Sequence, residues 1–473
     1  MSRPPSRGRT VGFRSERGPV LLAVMLSTGL VALDATILAT SVPSIVADLG
    51  NFSQFPWLFS IYLLAQAVSV PIYSKLADTI GRKPVILFGI GLFLLGSILC
   101  GFAWNMTALI IFRALQGLGA GAVQPIAVTI VGDIYTVEER ARVQGYLASV
   151  WAIASVLGPT LGGLFAQFLS WRWIFFVNIP LCLIAAWRLI GNYHESLERR
   201  RRRVDYAGAA TLALGLAALI LALLEGGNAW PWLSLPSFAV FGVGIASLIA
   251  FLFIEPRVAE PILDLRILRR PVILTTTLVA IFLGALMTGI ASFAPTYLEN
   301  SIGVPPLISG LAVAAFTIGW PIASTTSGRL YMRWGFRRTA MLGSSIAAVG
   351  TIALALITPW PHPATMAAVT FVIGFGLGWT AAPSLIAAQS SVEWNERGTT
   401  TGMNVLARTI GSSVGVAIFG AIANSVIAAG AGERDFDTIV SATQWVFAAA
   451  AVAAVMLFVA ACSMPRREQI VHT

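Results

Sequence analysis

Fourteen long apolar stretches, separated by short polar segments, constrain this sequence more than any other feature. A helix needs about 20 apolar residues to cross the hydrocarbon core of a bilayer, and these stretches reach that length. A membrane β-barrel would instead alternate polar and apolar residues, which runs such as Leu212–Leu224 do not do. We therefore predict an all-α polytopic membrane protein with spans at residues 19–44, 56–77, 84–104, 106–131, 144–169, 172–192, 206–226, 235–255, 271–297, 307–328, 338–358, 364–389, 400–428 and 440–463.

The composition agrees with a chain that lies in lipid. Charged residues make up 11% of the 473 residues, hydrophobic residues make up 57%, and the mean hydropathy is +0.81. An ordinary soluble domain has about 25% charged residues, so too few polar side chains remain here to cover a water-facing surface. The net charge of +10 does not indicate a nucleic-acid partner, because the basic residues form short clusters between apolar stretches. All three cysteines, Cys100, Cys182 and Cys462, lie in apolar stretches, and no disulfide framework is expected.

The positions of the basic residues predict the orientation of the chain. With both ends in the cytoplasm, 27 of the 31 basic residues lie on the cytoplasmic side, and only Arg172 and Arg434 lie outside. Cytoplasmic loops of membrane proteins are enriched in Lys and Arg, so we expect a multi-pass protein of the cell (inner) membrane with both termini cytoplasmic. The Arg-rich segment 1–18 is expected to be a retained cytoplasmic tail. The run Arg199–Arg203 is expected to be a topology anchor that contacts anionic lipid.

Two internal alignments indicate a repeat. Gly81, after the second span, matches Gly335, after the tenth, at an offset of 254 residues, and Glu139 matches Glu396 at an offset of 257. Duplicated halves around a central cavity are the architecture of alternating-access transporters. The predicted organisation is two six-helix bundles with two inserted helices: a cytoplasmic tail (1–18), an N-terminal bundle (19–192), cytoplasmic linkers with spans seven and eight (193–270), a C-terminal bundle (271–463) and a second cytoplasmic tail (464–473).

The segment between the second and third spans is the most specific motif in the chain. It resembles the loop motif G-x-L-x-D-R-x-G-R-K of the major facilitator superfamily at Leu76, Asp78, Gly81, Arg82 and Lys83. Two positions depart from the pattern, because Ser74 replaces the first glycine and Thr79 replaces the first basic residue. Gly81 permits a tight turn, and Asp78 can pair with a nearby guanidinium group. The resemblance implies that this segment acts in conformational switching.

Further segments resemble the fourteen-span drug:proton antiporter branch of the same superfamily. They are Leu33–Thr36, Arg113–Gly119, the span-five residues Gly145, Gly158, Pro159, Gly162 and Gly163 (with Ala154 in place of a motif glycine), Trp171–Pro180, Val204–Gly208 and Glu260–Leu265. The resemblance covers nearly the whole chain, from span one to span thirteen. It implies the major facilitator fold and export of hydrophobic or cationic small molecules in exchange for protons, as in multidrug efflux. An exporter of an endogenous lipid, siderophore or metabolite is the alternative.

Other classes of function fit the sequence poorly. A channel would need repeated polar or charged rings along its pore, and none is evident. A membrane enzyme would need clustered catalytic or metal-binding residues, and the sequence contains neither an HExxH motif nor an ATP-binding segment. We therefore expect no cofactor besides protons as the coupling ion. The expected partners are small-molecule drugs or amphipathic compounds, protons and membrane lipids, and the expected functional unit is a monomer.

Two charged residues lie deep inside spans of the first half. Asp34 in span one and Arg113 in span four are roughly 15 Å and 10 Å from the outer ends at 1.5 Å per residue, and an ionisable group inside a span is a functional candidate by default. Burial favours the neutral form of a carboxylate and a nearby arginine favours the charged form, so a group subject to both can exchange a proton near neutrality. We predict that this pair couples protons, although a static polar contact for Asp34 and pairing of Arg113 with carbonyls stay open as alternatives. The histidines, His194, His362 and His472, lie near span ends or in the tail and suit a relay poorly.

The remaining candidate residues have less specific signals. Asp133 stands where the family places a partner for Arg82, and that contact would favour the outward-facing state. Gly158, Pro159, Gly162 and Gly163 suit a hinge or seal between halves, or simply tight helix packing.

Candidate substrate contacts are polar or aromatic groups inside the spans, each of which also suits ordinary packing: Tyr62, Gln66, Gln124, Trp320, Glu299 and Asn404. Glu299 could attract cations or lie in a solvated rim. Glu299 and Glu225 are the alternatives to Asp34 as the residue that carries the proton. Arg408 in span thirteen is expected to pair within the second half.

Overall fold

A computed structural model describes residues 12–13, 15–135, 137–195, 205–227, 229–258, 261, 265–392, 397–430 and 435–465. The described residues are almost entirely helical. The helices are α1 (Gly18–Ile37), α2 (Val42–Leu49), α3 (Phe55–Ile80), α4 (Arg82–Gly101), α5 (Met106–Ile134), α6 (Val137–Phe168), α7 (Trp173–Phe176), α8 (Asn178–Asn192), α9 (Tyr206–Glu225), α10 (Leu235–Ile254), α11 (Pro271–Ile302), α12 (Pro306–Trp334), α13 (Phe336–Ile357), α14 (Pro363–Ser390), α15 (Arg397–Ala429) and α16 (Phe436–Cys462).

Fourteen segments of the described chain are long and apolar enough to cross a membrane, which confirms the predicted number. The first is Gly18–Leu49, in which a short 3₁₀ turn at Ala39–Ser41 joins α1 to α2. The sixth, Trp173–Asn192, combines α7 and α8. Several helices extend past the predicted apolar stretches, because a helix continues into the polar region at either side of the hydrocarbon.

Side-chain caps begin several of these helices. The Asn105 carboxamide oxygen accepts a hydrogen bond from the Ala108 amide at 2.7 Å at the start of α5. Asp205 and Asp435 cap α9 and α16 in the same way, at 2.8 Å from Gly208 N and 2.9 Å from Thr438 N. Such caps satisfy backbone donors that have no partner inside the helix.

Two glycines form equivalent turns in the two halves. Gly81 is the one residue between α3 and α4, and Gly335 is the one residue between α12 and α13. Their φ angles are +111° and +86°, a region that residues with a Cβ rarely adopt. The sequence repeat therefore matches a structural repeat. The predicted loop between spans two and three is shorter than expected, because Asp78 still belongs to the last turn of α3.

The inserted helices lie along one edge of the interface between the halves. The apolar face of α9, which includes Leu216 and Ile220, packs against Leu64 of α3 and Ala417 of α15. The Trp57 indole of α3 donates a hydrogen bond to Glu225 at the end of α9, at 3.0 Å. Helix α9 therefore covers the line where α3 and α15 meet, and α10 packs against α9.

The hydrogen bonds between the first and last six spans that join described residues lie at one end of the bundle. We call this end, which holds the α2–α3 and α11–α12 junctions, the outer end, and we call the end with the Gly81 and Gly335 turns the inner end. Ser60 Oγ donates to the Ser413 carbonyl at 3.1 Å, and Ser413 Oγ donates to the Ser60 carbonyl at 2.8 Å. Asn424 donates to the Ser53 carbonyl at 2.8 Å. The outer end is therefore closed in this conformation.

Candidate functional site

A buried ion pair joins α1 to α5. An Arg113 guanidinium nitrogen lies 2.7 Å from Asp34 Oδ2, and each residue is 1% exposed. Asp34 lies on the fifth turn of α1, and Arg113 lies on the third turn of α5. The two residues that the sequence singled out by charge and depth are thus in direct contact.

Three polar side chains complete the surroundings of the carboxylate. Gln116, on the next turn of α5 after Arg113, donates to Asp34 Oδ1 at 2.8 Å and accepts from Arg113 at 2.7 Å. Asn178, the first residue of α8, donates to the same Oδ1 at 3.4 Å. Ser97 of α4 accepts from Gln116 at 2.7 Å and from Asn178 at 3.0 Å. All three are fully buried, so four helices hold one carboxylate in a site without solvent.

The far side of the guanidinium is also occupied. Its carbon lies 4.1 Å from the centre of the Tyr62 ring, a cation–π distance, and Arg113 Nε donates to the Leu58 carbonyl at 3.2 Å. Tyr62 is 2% exposed, and its hydroxyl has no hydrogen-bond partner among the described residues. Although Tyr62 was predicted as a substrate contact, in this conformation it packs against the ion pair.

This arrangement stabilises the charged form of the Asp34 carboxylate, and it is destabilised when Asp34 becomes neutral. Arg113, Gln116 and Asn178 all donate toward Asp34, so the charged form has its full set of donors. A proton on Asp34 would leave the guanidinium without a counterion in a site that excludes water. An unpaired buried charge is costly, by about 3–5 kcal/mol when one partner of such a pair is removed.

A second charged cluster lies at the inner end. Arg82 Nε lies 3.0 Å from an Asp133 carboxylate oxygen of α5, the pairing that the family resemblance predicted. Glu195, three residues past α8, accepts from the Arg82 and Lys83 amides at 2.7 Å and 3.1 Å, and its carboxylate lies 3.9 Å from the Arg82 guanidinium. The Lys83 ammonium donates to the Ile190 and Tyr193 carbonyls, both at 2.8 Å.

These contacts fix the first turn of α4 against α5 and the end of α8. Burial, together with the neighbouring Glu195 and Asp133 carboxylates, raises the pKa of Tyr193, so its phenol stays neutral at physiological pH. The side chain of Asp78 lies outside the described residues.

The span-five glycines face two different partners. A Cβ on Gly158 would lie 2.0 Å from Thr36 Oγ1, and one on Gly162 would lie 2.4 Å from the Ile37 carbonyl oxygen, so both face α1 of the same half. A Cβ on Gly163 would instead lie 2.6 Å from the Pro306 carbonyl oxygen of α12, in the opposite half.

Pro159 lies on the same contact surface. A Cβ added to Gly310 of α12 would lie 2.5 Å from the Pro159 carbonyl oxygen. The glycine-rich segment thus packs within its half and also contacts the other half at the closed outer end.

The other predicted substrate residues do not converge on one site. Gln66 and Gln124 hydrogen-bond to each other at 2.9 Å, and Asn404 donates to the Thr276 carbonyl of α11 at 3.3 Å. Trp320 is partly buried and packs against the apolar core.

Two glutamates near the outer end are partly buried rather than fully exposed. Glu299 accepts a hydrogen bond from Ser309 of α12. Glu225 accepts one from Trp57 of α3. Both carboxylates therefore link helices.

Arg408 differs from its sequence-based expectation. No carboxylate of a described residue lies within 4.0 Å of its guanidinium, so the expected pairing within the second half is wrong in this conformation. The expectation failed because a pairing partner on another helix leaves no pattern along the chain.

Sequence reasoning also missed functional candidates that the structure reveals. Gln116 and Asn178 lie inside the motif segments Arg113–Gly119 and Trp171–Pro180, but nothing in these patterns indicates that they contact Asp34. Ser97 and Glu195 had no local signal, because their roles come from helices distant in sequence. Within the described residues, no group of three or more His, Cys, Asp or Glu side chains is arranged to hold a metal ion.

Comparison with known proteins identifies the class to which this fold and site belong. The model of the Major Facilitator Superfamily matches residues 24–416. Multidrug resistance protein 3 of Bacillus subtilis is 34% identical over 407 residues, which cover 86% of this chain and 80% of that protein. Multidrug transporter protein MdtP of the same organism is 32% identical over 414 residues, covering 88% and 76%. The chain therefore belongs to the Major Facilitator Superfamily, and it is a multi-pass membrane transporter rather than an enzyme.

Solved structures share the fold at low sequence identity. A bacterial homologue of the human lysosomal transporter Spinster, inward-facing and unoccupied, aligns with a TM-score of 0.67 at 18% identity over 95% of this chain and 98% of that one. A peptide transporter, POT, in complex with sulfate aligns with a TM-score of 0.69 at 17% identity over 96% of each chain. At these identities the likeness concerns the fold alone, and it agrees with the predicted major facilitator fold.

Proposed function

We propose that this protein is a proton-coupled antiporter that exports hydrophobic or amphipathic small molecules by alternating access, as a member of the fourteen-span drug:proton antiporter branch. The observation that carries the proposal is the Asp34–Arg113 ion pair, buried at 2.7 Å inside the first half. The relatives named as multidrug transporters support the substrate class. Export of an endogenous lipid, siderophore or metabolite is the alternative within the same mechanism.

Coupling follows from the electrostatics of the pair. While Asp34 is charged, the pair and its amide neighbours are satisfied in the outer-closed conformation. When Asp34 takes up a proton, the Arg113 charge becomes uncompensated. Repacking around this charge then lowers the free energy of the protein. A proton taken up on one side and released on the other can thus drive the change in access.

Alternating access is supported by where the halves meet. The hydrogen bonds between Ser60 and Ser413, and the approach of Gly163 to Pro306, close the outer end. With the orientation that the basic residues predict, this conformation faces inward. Arg82, Lys83, Asp133 and the motif residue Asp78 then lie on the cytoplasmic side, where we assign them to the switch between states.

The setting of the transporter follows the same orientation argument. We propose that it works as a monomer in the cell (inner) membrane, with both termini cytoplasmic and its basic loops in contact with anionic lipid headgroups. The division into bundles at 19–192 and 271–463, with an inserted pair in 193–270, is part of the proposal.

Purified protein in liposomes with an imposed pH gradient tests the function directly. A panel of cationic, neutral and acidic amphiphiles should show accumulation that depends on the gradient and stops when nigericin collapses it. The matched variants are Asp34→Asn and Asp48→Asn, because Asp48 also pairs with an arginine at 2.7 Å but lies at the outer surface. Transport that persists without a gradient, or that both variants reduce equally, would refute the proposed coupling.

A further inference from the structure

Three charged side chains lie deep inside the described membrane spans, and one of them has no counterion. Asp34 and Arg113 neutralise each other at 2.7 Å. The Arg408 side chain, on the third turn of the span Thr400–Ala429, has no described carboxylate within ion-pair distance and no hydrogen bond to any described group. Its charge is therefore the one uncompensated charge at this depth among the described residues.

The neighbours of Arg408 place it on the interior face of α15. Asn404, one turn earlier, donates to the Thr276 carbonyl of α11, and Ser412, one turn later, donates to the Gly284 carbonyl of the same helix at 3.0 Å. The next residue, Ser413, bonds to α3 across the interface between the halves. Residues four apart share a helix face, so the Arg408 side chain leaves α15 on the face that packs against α11.

The Arg408 side chain is nevertheless not fully enclosed. Arg408 is only partly buried, whereas Arg113 is 1% exposed, and none of the Arg408 nitrogens belongs to the fully enclosed unpaired atoms. The described hydrogen bonds between the halves lie near the outer end, so the space between the halves is open below them, and in the proposal that follows the partly exposed Arg408 side chain lies there. That space is where an alternating-access transporter binds its substrate.

A lone guanidinium in such a space favours one class of ligand. It presents five N–H donors in a planar fork that matches a carboxylate, sulfonate or phosphate. An acidic ligand would supply the missing counterion, whereas a cationic ligand would meet a like charge at short range.

We propose that Arg408 recognises the acidic group of an otherwise apolar substrate, so that the transported class is amphipathic organic anions. This inference rests on the proposed export function and narrows its substrate class away from simple cations. The apolar body of such a ligand suits the many hydrophobic side chains of the spans.

Three probes with one apolar body and different charges test the assignment. They are pyrenebutyrate, pyrenebutanol and a pyrenebutyl trimethylammonium salt. Their binding to the full-length protein in nanodiscs is measured by fluorescence for wild type, Arg408→Gln and Arg408→Lys. Arg338→Gln is the matched control, since it removes an exposed arginine at the inner end of α13.

Wild type should bind the anion at least about tenfold more tightly than the cation, since a hydrogen bond to a charged group contributes enough for that ratio. Arg408→Gln should abolish this preference and leave pyrenebutanol binding within about twofold, and Arg338→Gln should change neither. Arg408→Lys keeps the charge but not the planar fork of donors. Its preference for the anion should therefore be about threefold or more weaker than that of wild type, but it should not disappear. This lysine variant supplies a second test if Arg408→Gln does not fold.

Equal binding of both charged probes by wild type, or a preference unchanged in either Arg408 variant, would overturn the assignment. The binding measurement needs no gradient, so it is independent of coupling. Gradient-driven export of pyrenebutanol in liposomes tests the proposed function separately. If wild type does not export this probe, the proposed export function is contradicted, but the binding result for Arg408 is unaffected.

Discussion

The Arg113 guanidinium lies 2.7 Å from the Asp34 carboxylate, and neither side chain is more than 2% exposed. The pair joins α1 to α5 within the first half, so it does not itself hold the two halves together. It acts on the packing of one half, through the amide donors of Gln116 and Asn178 and the ring of Tyr62. A change in the charge of Asp34 therefore alters the packing of four helices together: α1, α4, α5 and α8.

We expect Asp34→Asn to abolish pH-driven export while leaving substrate binding within about threefold. Asparagine keeps the volume and much of the hydrogen bonding of Asp34, but it cannot release a proton. Proton release on substrate addition to detergent-solubilised protein measures the effect. Undiminished release from the variant would remove Asp34 from the mechanism and leave Glu299 and Glu225 as candidates.

Gly163→Ala should weaken the outer-closed conformation. The new Cβ would lie 2.6 Å from the Pro306 carbonyl oxygen in the opposite half, an overlap that costs about 1–3 kcal/mol. The outer-open population should rise by roughly fivefold or more. Spin labels at the exposed outer positions Ala47 and Asn300 report this as a longer distance between the halves.

The adjacent Gly162 supplies the control for that measurement. Its added Cβ would lie 2.4 Å from the Ile37 carbonyl oxygen within the same half. Gly162→Ala should therefore lower thermal stability without lengthening the distance between Ala47 and Asn300. The same lengthening in both variants would contradict the division of the span-five glycines into two roles.

Asp78→Asn should reduce turnover more than substrate binding. Asp78 lies in the last turn of α3, just before the Gly81 turn and far along α3 from the buried site. We expect export to fall by about tenfold with an unchanged Kd, measured in liposomes and in detergent at matched protein amounts. Equal export rates for the variant and wild type would contradict the assignment of Asp78 to conformational switching.

The predicted orientation can be tested with cysteines at positions 362 and 200 in a background that lacks Cys100, Cys182 and Cys462. His362 precedes α14 at the outer end, and position 200 lies in the linker outside the described residues. A membrane-impermeant maleimide should label position 362 in intact cells, and it should label position 200 only after permeabilisation. Labelling in the reverse pattern would contradict cytoplasmic termini.

The sequence predicts the number and approximate positions of the spans because apolarity is a property of each residue and its neighbours. It does not predict where helices end, since α15 begins at Arg397 and α11 continues to Ile302, past their apolar stretches. Charge and depth identified Asp34 and Arg113. Their contact depends on how α1 packs against α5, which no spacing along the chain encodes.

The polar neighbours of the site were harder to predict. Serine and asparagine are common in membrane helices, so Ser97 and Asn178 carry no signal of their own. The expected ion pair of Arg408 was wrong for a different reason. A charged residue at this depth suggests a counterion, and the described structure does not supply one.

Glu195→Gln should loosen the first turn of α4 at the inner end. The Glu195 carboxylate accepts from the Arg82 and Lys83 amides at 2.7 Å and 3.1 Å, where the helix dipole favours a negative charge. Glutamine keeps one acceptor oxygen but loses the charge and the second acceptor, a loss of about 1–2 kcal/mol. Hydrogen exchange at these two amides should accelerate by roughly tenfold.

Asp133→Asn separates this capping role from the pairing of Arg82. Asp133 lies nearer the Arg82 guanidinium, at 3.0 Å against 3.9 Å for Glu195, but it accepts from neither backbone amide. The asparagine variant should therefore leave exchange at the Arg82 and Lys83 amides within about twofold of wild type while weakening the side-chain pair. If both variants accelerate exchange equally, the guanidinium pairing, and not the Glu195 cap, holds the start of α4 in place.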